Sequence, residues 1–234
     1  MFIGHFAVGL AGKKLAPGAS LAWLWFAAIF ADVLWAILLA FGAEEVRIVP
    51  GNTAFKPLDF VSYPWSHSLL MLVIWGALFA AFWRKVPGGK RIGIVLGALV
   101  VSHWFLDWIT HRPDMPLWPY GPKFGLGLWE SIRATMAVET VMLAVGTWLY
   151  VKATWARDSM GKWAFWIVIV LLFVSYALNS SDPRPPRTVA SIWTGAMVAT
   201  VIMLTLGVLI DQHRDPRVDE DGNPVPRRVR VDLR

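Results

Sequence analysis

The sequence predicts an all-α membrane protein, a polytopic helical bundle of about six transmembrane helices plus a short N-terminal membrane element. Hydrophobic residues make up 56% of the 234 residues and charged residues only 16%, and the mean hydropathy is +0.52. Several apolar stretches reach the roughly 17–25 residues that a helix needs to cross the hydrocarbon core. This composition excludes an ordinary soluble enzyme. Because the sequence has no Cys, it also excludes a disulfide framework, a thiolate zinc site and an iron–sulfur cluster.

Six apolar stretches are predicted to span the membrane: residues 20–42, 66–83, 91–110, 131–150, 163–179 and 189–210. A shorter stretch, residues 2–12, is predicted to be a short helix or re-entrant element, which protein must cover at membrane depth. Residues 1–211 are therefore expected to form one membrane-embedded helical domain, with a site in 1–145 and scaffold helices in 163–210. Residues 212–234 are expected to be a flexible polar tail in the cytoplasm.

The charge distribution argues for membrane topology and against a nucleic-acid partner. The net charge is +6, but the segment 211–234 carries six Arg and six acidic residues and is neutral, whereas a nucleic-acid arm would be one-signed. Fifteen of the 22 Lys and Arg residues fall on one side of the six-span arrangement, with the tightest group in 84–91. The positive-inside rule then predicts that both termini are cytoplasmic. The long loops 43–65 and 111–130 face outward and are expected to act as lids or mouths.

Ionisable residues fall in the first four spans and the N-terminal element, whereas 163–179 and 189–210 contain none. They are His5, Asp32, His67, His103, Asp107, His111, Arg133 and Glu139. A charged side chain at mid-bilayer costs roughly 2.5–3.5 kcal/mol on insertion scales, and one Arg cannot neutralise three carboxylates. The acids are therefore protonated, face water or bind a metal. The abundance of His favours a metal, since imidazole and carboxylate together are ligands of zinc, iron and manganese.

The spacing of these residues gives two further expectations. His103, Asp107 and His111 are successive i, i+4 steps, so they share one helix face. At about 1.5 Å per residue, Asp32, His103 and Glu139 should lie roughly 10–15 Å deep, and Asp107, His67 and His111 within about 5 Å of the outer surface. Unless helices tilt or loops fold inward, this separation predicts two metals, or one metal with an outer polar vestibule. Ser66 is predicted to be the N-cap of the second span.

Several motifs resemble the YdjM-like, LexA-binding family of bacterial inner-membrane proteins, to which metal-dependent hydrolase activity is ascribed. They are GHFAVG, the acidic residue in the first long span, SHS opening the next, and SHWFLDWITHRPDMPLWP with GLGLWES, and they cover about residues 1–145. The resemblance implies a multi-pass protein of the bacterial inner membrane with His5, Asp32, His67, His103 and Asp107 as metal-site residues. Family members often carry Pro-Asp-x-Asp after the first helix, whereas this chain has FADVLW with Asp32 alone.

The leading hypothesis is a metal-dependent hydrolase whose site opens toward the outer leaflet and acts on a lipid or another amphiphilic ester or phosphoester. The metal would be divalent, with zinc first and manganese or iron as alternatives. The expected ligands are His5, Asp32, His67, His103, Asp107 and His111, and the expected catalytic residues are Glu139 and Asp32. The selection of His111 and Glu139 rests on spacing and expected burial alone and not on the family resemblance.

Two alternatives belong to other functional classes. The same polar residues could form the pathway of an ion- or proton-coupled transporter, since intramembrane ionisable groups often do so. They could also lock the helices of a non-catalytic membrane partner subunit together. Interhelical polar contacts average only about 0.6 kcal/mol in one well-studied case, which is little reason to retain so many ionisable groups.

Overall fold

A computed structural model describes residues 1–181 and 184–226, and about 65% of the protein is helical. In these ranges there are nine α-helices: α1 (Ile3–Leu15), α2 (Leu21–Ala28), α3 (Phe30–Ala40), α4 (Pro64–His67), α5 (Leu69–Trp83), α6 (Gly89–Thr110), α7 (Ile132–Ala153), α8 (Ser159–Ser181) and α9 (Val189–Gln212). The helical class predicted from the sequence is confirmed.

The connections contain structure that the composition did not predict. Three two-stranded antiparallel sheets pair β1 (Glu45–Ile48) with β2 (Leu58–Ser62), β3 (Met115–Pro116) with β4 (Lys123–Phe124), and β5 (Thr154–Ala156) with β6 (Arg214–Pro216). A 3-10 turn, Leu128–Glu130, precedes α7. The first two sheets lie in the two long loops that were expected to face outward.

The described residues contain four candidate membrane-spanning helices, or five with a bent pair, against the six spans predicted from the sequence. By length and composition α6, α7, α8 and α9 can each cross a membrane, and α2 with α3 makes a fifth span if the pair is counted as one. The predicted span 66–83 corresponds to α5, which has only 15 residues and begins at Leu69. Its N-cap is Ser68, whose side chain accepts from the Met71 N–H. The predicted cap, Ser66, instead lies in α4. Six spans are therefore not confirmed.

The first predicted span is broken near its middle. Between α2 and α3 the chain bends by 60° at Ile29, whose backbone is non-helical (φ −105°, ψ 11°). A helix end leaves carbonyls without an intrahelical partner and a helix start favours a carboxylate. The break therefore exposes the Ala28 carbonyl and places Asp32 in the first turn of α3.

Helix α1 lies inside the bundle, packed against α7, α2 and α6. Its Ile3 and Leu10 side chains are fully buried, which gives the N-terminal element the protein cover that a short element needs at membrane depth. The crossing with α7 is close because Gly146 faces the Ala7 backbone, and a Cβ added at Gly146 would lie 2.3 Å from the Ala7 carbonyl oxygen. This crossing fixes the position of α1 and of His5 on it.

Part of the segment after α9 is hydrogen-bonded to the helical bundle in the residues that the structure describes, and the flexibility expected from composition stays a prediction. Strand β6 pairs with β5, and the buried Arg214 guanidinium donates to Thr154 Oγ1 and to the Gly161 carbonyl. A segment rich in charge is thus held by hydrogen bonds to the α7–α8 connection. The remainder of the predicted tail, residues 227–234, lies outside the described residues.

We predict that Gly146→Ala lowers the free energy of unfolding in detergent by about 1–3 kcal/mol, the usual cost of overpacking. The matched control is Gly195→Ala on α9, where an added Cβ meets no atom within 4 Å. Alanine there should leave stability unchanged or raise it, because Ala is the better helix former. Equal stability of the two variants would contradict a tight α1–α7 crossing.

Candidate metal centre

Six of the predicted site residues come together in one place, here called the His/Asp cluster: His5, Asp32, His67, His103, Asp107 and His111. They come from α1, α3, α4 and α6, and His111 ends α6. Five of the six are buried with at most 3% exposure, whereas the Asp32 side chain is 43% exposed.

Asp107 lies at the centre of the cluster. Its Oδ2 is 3.1 Å from His103 Nε2 and 3.7 Å from the Nε2 atoms of both His67 and His111. Its Oδ1 is 3.0 Å from His5 Nε2. The i, i+4 spacing on α6 therefore does bring three side chains to one face. The Met1 ammonium also donates to Asp107 Oδ1. Four imidazoles and one ammonium group therefore surround a single carboxylate.

Asp32 joins the cluster from the opposite side. Its Oδ1 is 3.7 Å from His67 Nε2 and 3.8 Å from His103 Nε2. The expected separation between a deep and a shallow group of residues was wrong. A uniform helical rise does not apply here, because the chain bends at Ile29 and because α4 turns as a separate short helix before α5.

Two of the imidazoles are oriented by acceptors at Nδ1. His103 Nδ1 is 2.9 Å from the Ala28 carbonyl oxygen, which the break after α2 leaves free. His111 Nδ1 is 2.9 Å from Asp114 Oδ1. A carbonyl and a carboxylate can only accept, so Nδ1 carries the proton in both rings and Nε2 presents a lone pair to the cluster.

His67 is oriented through a relay of two residues. Its Nδ1 is 2.7 Å from Ser66 Oγ, and the Ser66 hydroxyl donates to Glu44 Oε2 at 2.6 Å. Because the hydroxyl proton is used by Glu44, the serine oxygen accepts from His67 Nδ1–H. Glu44 Oε1 also accepts the Trp65 and Ser66 N–H groups, which fixes the carboxylate at the start of α4.

Three Nε2 lone pairs therefore face carboxylate oxygens, an arrangement that is repulsive without positive charge between them. The Met1 ammonium supplies one positive charge at Asp107 Oδ1, and a proton or a metal ion between the Nε2 atoms and Asp107 Oδ2 would supply another. His103 Nε2 is buried and has no hydrogen-bond partner among the described residues. Two groups have ligand atoms within 4.8 Å of one another, one formed by His5, His103 and Asp107 and one by Asp32, His67 and His103. The arrangement is able to hold a metal ion.

Glu139 lies outside both of these groups. It is fully buried, and its Oε2 accepts the backbone N–H groups of Phe2 and Gly4 at 2.8 and 3.0 Å. The carboxylate thus satisfies N–H groups that the start of α1 leaves unpaired, at the positive end of that helix. This contact gives Glu139 a structural role, and its catalytic role stays a prediction.

A cavity of about 570 Å³ adjoins the cluster. Asp32, His67, Asp107 and His111 line its polar end, and Leu171 of α8 and Met203 of α9 are among the apolar residues that line the rest. The two helices predicted as scaffold therefore form the cavity wall. Their sequences are apolar on every side, so no pattern distinguished the cavity face.

The two long loops close over the cluster from one side. The Tyr63 hydroxyl donates to Asp114 Oδ1 at 2.7 Å, and burial together with the Asp114 carboxylate raises the pKa of Tyr63 well above its ordinary value. The Trp129 ring lies 4.2 Å from the His111 ring, centroid to centroid. Sequence reasoning missed Asp114, although its i+3 spacing from His111 is a usable signal. Glu44 gave no signal, because it lies far from His67 in the sequence.

Comparisons with known proteins gave one match. The profile of the YdjM inner membrane protein family matches residues 1–182, which extends the similarity beyond residue 145 and through α8. Neither the comparison with curated proteins nor the comparison with solved structures gave a match.

Removing the Glu139 carboxylate should destabilise the protein. We predict that Glu139→Ala lowers the free energy of unfolding in detergent by about 2–4 kcal/mol, since hydrogen bonds to a charged group contribute about 1.5–3 kcal/mol. Glu139→Gln keeps an oxygen acceptor and should lose less than half as much. The control is Glu130→Ala, at an exposed position, which should unfold like the wild type. Wild-type stability of Glu139→Ala would rule out this structural role.

Proposed function

The chain belongs to the YdjM inner membrane protein family, and we propose that it is a membrane-bound hydrolase that uses one divalent metal ion held by the His/Asp cluster. The observation that carries this proposal is the convergence of the Nε2 atoms of His67, His103 and His111 on the carboxylate of Asp107. Each of these rings has its Nδ1 occupied by an acceptor. Metal-binding histidines are oriented in this way, with the second ring nitrogen bound to a carboxylate, a carbonyl or a similar acceptor.

The donor set and its dimensions fit a small divalent ion. Imidazole nitrogen with carboxylate oxygen suits zinc, manganese and iron, and zinc most often takes four ligands at about 2.0–2.2 Å. Tetrahedral geometry at that bond length separates neighbouring ligand atoms by about 3.3–3.6 Å. The His103–Asp107, His67–Asp32 and His67–Asp107 separations are 3.1, 3.7 and 3.7 Å.

The number of ions follows from His103. It belongs to both candidate groups, yet its Nδ1 is engaged by Ala28, so Nε2 alone is available and binds one ion. We therefore assign His67, His103, Asp107 and Asp32 as the residues that would hold one metal. His5 and His111 contact the Asp107 carboxylate from either side and orient it.

A bound divalent ion would supply a Lewis acid and lower the pKa of a water to about 7. The protein contributes the rest of the chemistry. Asp32 is the most exposed member of the cluster and lines the cavity. One oxygen of its carboxylate would hold the metal, and the other would take a proton from water and return it to a leaving oxygen. This role needs no contribution from Glu139.

The cavity supports a lipid or another amphiphile as the substrate. Apolar side chains from α8 and α9 form its wall, and many neighbouring side chains on these helices are exposed on the outside of the bundle, among them Val170, Val174 and Val201. An acyl or prenyl chain would lie along this wall while its polar head reaches the cluster. In the proposed orientation both termini are cytoplasmic and the site lies toward the outer leaflet. The Lys and Arg residues in 84–91 support this orientation, because short cytoplasmic loops carry an excess of basic residues.

We predict that purified wild-type protein contains about one zinc, manganese or iron ion per chain, measured by elemental mass spectrometry. A His103→Ala/Asp107→Ala double variant should lose at least nine-tenths of it, because it removes the central ligand pair. His213→Ala is the control, since His213 contacts Asp158 in the α7–α8 connection. The absence of metal from wild-type protein, even after incubation with zinc and manganese salts, would overturn the proposal.

A second prediction addresses the relay behind His67. Ser66→Ala removes the acceptor for His67 Nδ1–H, and loss of such an outer contact typically costs about 10–100-fold in metal affinity. The control Ser102→Ala removes a hydroxyl that only bonds to the Leu99 carbonyl. Competition with a chelator should separate the two variants. Equal affinities would show that the Ser66–Glu44 relay does not orient a ligand.

A further inference from the structure

One cation remains unexplained by the site as described. Lys56, in the β1–β2 connection, lines the cavity together with Asp32 and His67. It is the only Lys or Arg side chain among the cavity-lining residues that the structure describes. Its ammonium nitrogen lies 5.4 Å from the centroid of the neighbouring Phe55 ring. Within the described part of the chain, no carboxylate lies within ion-pair distance of it and its ammonium group donates no hydrogen bond.

The backbone around Lys56 holds it in this position. The Lys56 N–H donates to Thr53 Oγ1 at 2.8 Å, and the Lys56 carbonyl accepts from the Thr53 hydroxyl at 3.0 Å. The preceding residue, Phe55, is buried and its N–H donates to the Trp129 carbonyl at 3.0 Å. The loop is thus tied to the interior on one side of Lys56, so the lysine stays at the cavity.

An ammonium at an apolar cavity is costly without a counterion. Burial lowers the pKa of Lys56, while the negative charges of Glu139 and Asp32 oppose this shift. Neither carboxylate pairs with it in the structure, since Glu139 Oε2 accepts the N–H groups of α1 and Asp32 faces the imidazoles. A partially buried cation in this situation is stabilised by an anion that enters from outside.

From this juxtaposition we propose that Lys56 binds the anionic head of the substrate, and that the substrate is an amphiphile carrying a phosphate ester. The inference rests on the proposed function and narrows its substrate class. Two Asp carboxylates balance one divalent ion, and the Met1 ammonium at Asp107 adds further positive charge. Lys56 therefore leaves the cavity with a positive charge that a neutral carboxylic ester would not use. A phosphate ester brings its negative charge to the reacting centre itself.

The corresponding reaction is balanced with water as the only co-reactant. The water oxygen bonds to phosphorus, the bond between phosphorus and the leaving oxygen breaks, and one water proton passes through Asp32 to that oxygen. The products are an alcohol and a phosphate that carries the second water proton. Lys56 takes no part in these transfers and is a substrate-binding residue.

The test measures binding rather than turnover. Native mass spectrometry of the full chain in detergent would compare dioctanoyl phosphatidic acid with dioctanoyl phosphatidylcholine and dioctanoylglycerol. Wild-type protein should bind the phosphatidic acid at least tenfold more tightly than either of the others. Lys56→Gln should lose most of that preference, and Lys56→Arg should keep it. The control Lys123→Gln, at an exposed lysine whose Nζ donates to the Val61 carbonyl, should behave like wild type.

Metal content and thermal unfolding are measured on the same samples, so the two proposals fail in different ways. Metal-loaded wild-type protein with no preference for the phosphatidic acid would overturn the role of Lys56 and leave the metal centre standing. The same conclusion follows if folded Lys56→Gln keeps the wild-type preference. Protein that takes up no metal would instead remove the proposed function.

Discussion

The architecture depends on keeping one carboxylate, that of Asp107, inside the bundle. An isolated buried carboxylate costs many kcal/mol, and here it is 3% exposed and surrounded by four imidazoles. Two of those imidazoles, His103 and the C-capping His111, belong to α6 itself, whereas His5 comes from α1 and His67 from α4. Helices α1 and α4 must therefore hold their positions against α6 for the charge to be compensated. The close crossing at Gly146 serves this requirement because it positions His5, and the broken span at Ile29 serves it because it frees the Ala28 carbonyl that orients His103.

Much of this site could be read from the sequence. His103, Asp107 and His111 fall on one helix face by spacing alone, and ionisable residues in apolar spans drew attention to His5, Asp32 and His67. Their assembly could not be read in the same way, because it depends on the bend at Ile29 and on α4, which are local departures from regular helix. Glu44 and Ser66 were missed as a relay, since a contact between residues 22 positions apart leaves no local pattern. The metal-ligand roles of the residues in the His/Asp cluster remain predictions.

The fold shows the same division between regular and irregular features. Long apolar stretches predicted the helical class. Hydropathy does not reveal hairpins such as β1–β2, because their strands are too short for an alternation of polar and apolar residues to stand out. It also gave α8 and α9 no role beyond scaffold, because a helix that is apolar on all sides has no distinguishable inner face. The cavity between these helices and the cluster exists only through tertiary packing. In the same way, the charged composition of the tail gave no sign of the hydrogen bond that Arg214 donates to Thr154 of β5.

The β5–β6 pairing has a mechanical consequence for that cavity. Strand β5 immediately precedes α8 and β6 immediately follows α9, so the pairing joins the beginning of one cavity helix to the end of the other. In the described residues, α8 and α9 also contact each other directly. The pairing holds the two helices together at this end. A bulky molecule that enters the cavity between them would therefore separate the helices least beside the sheet and more with distance from it.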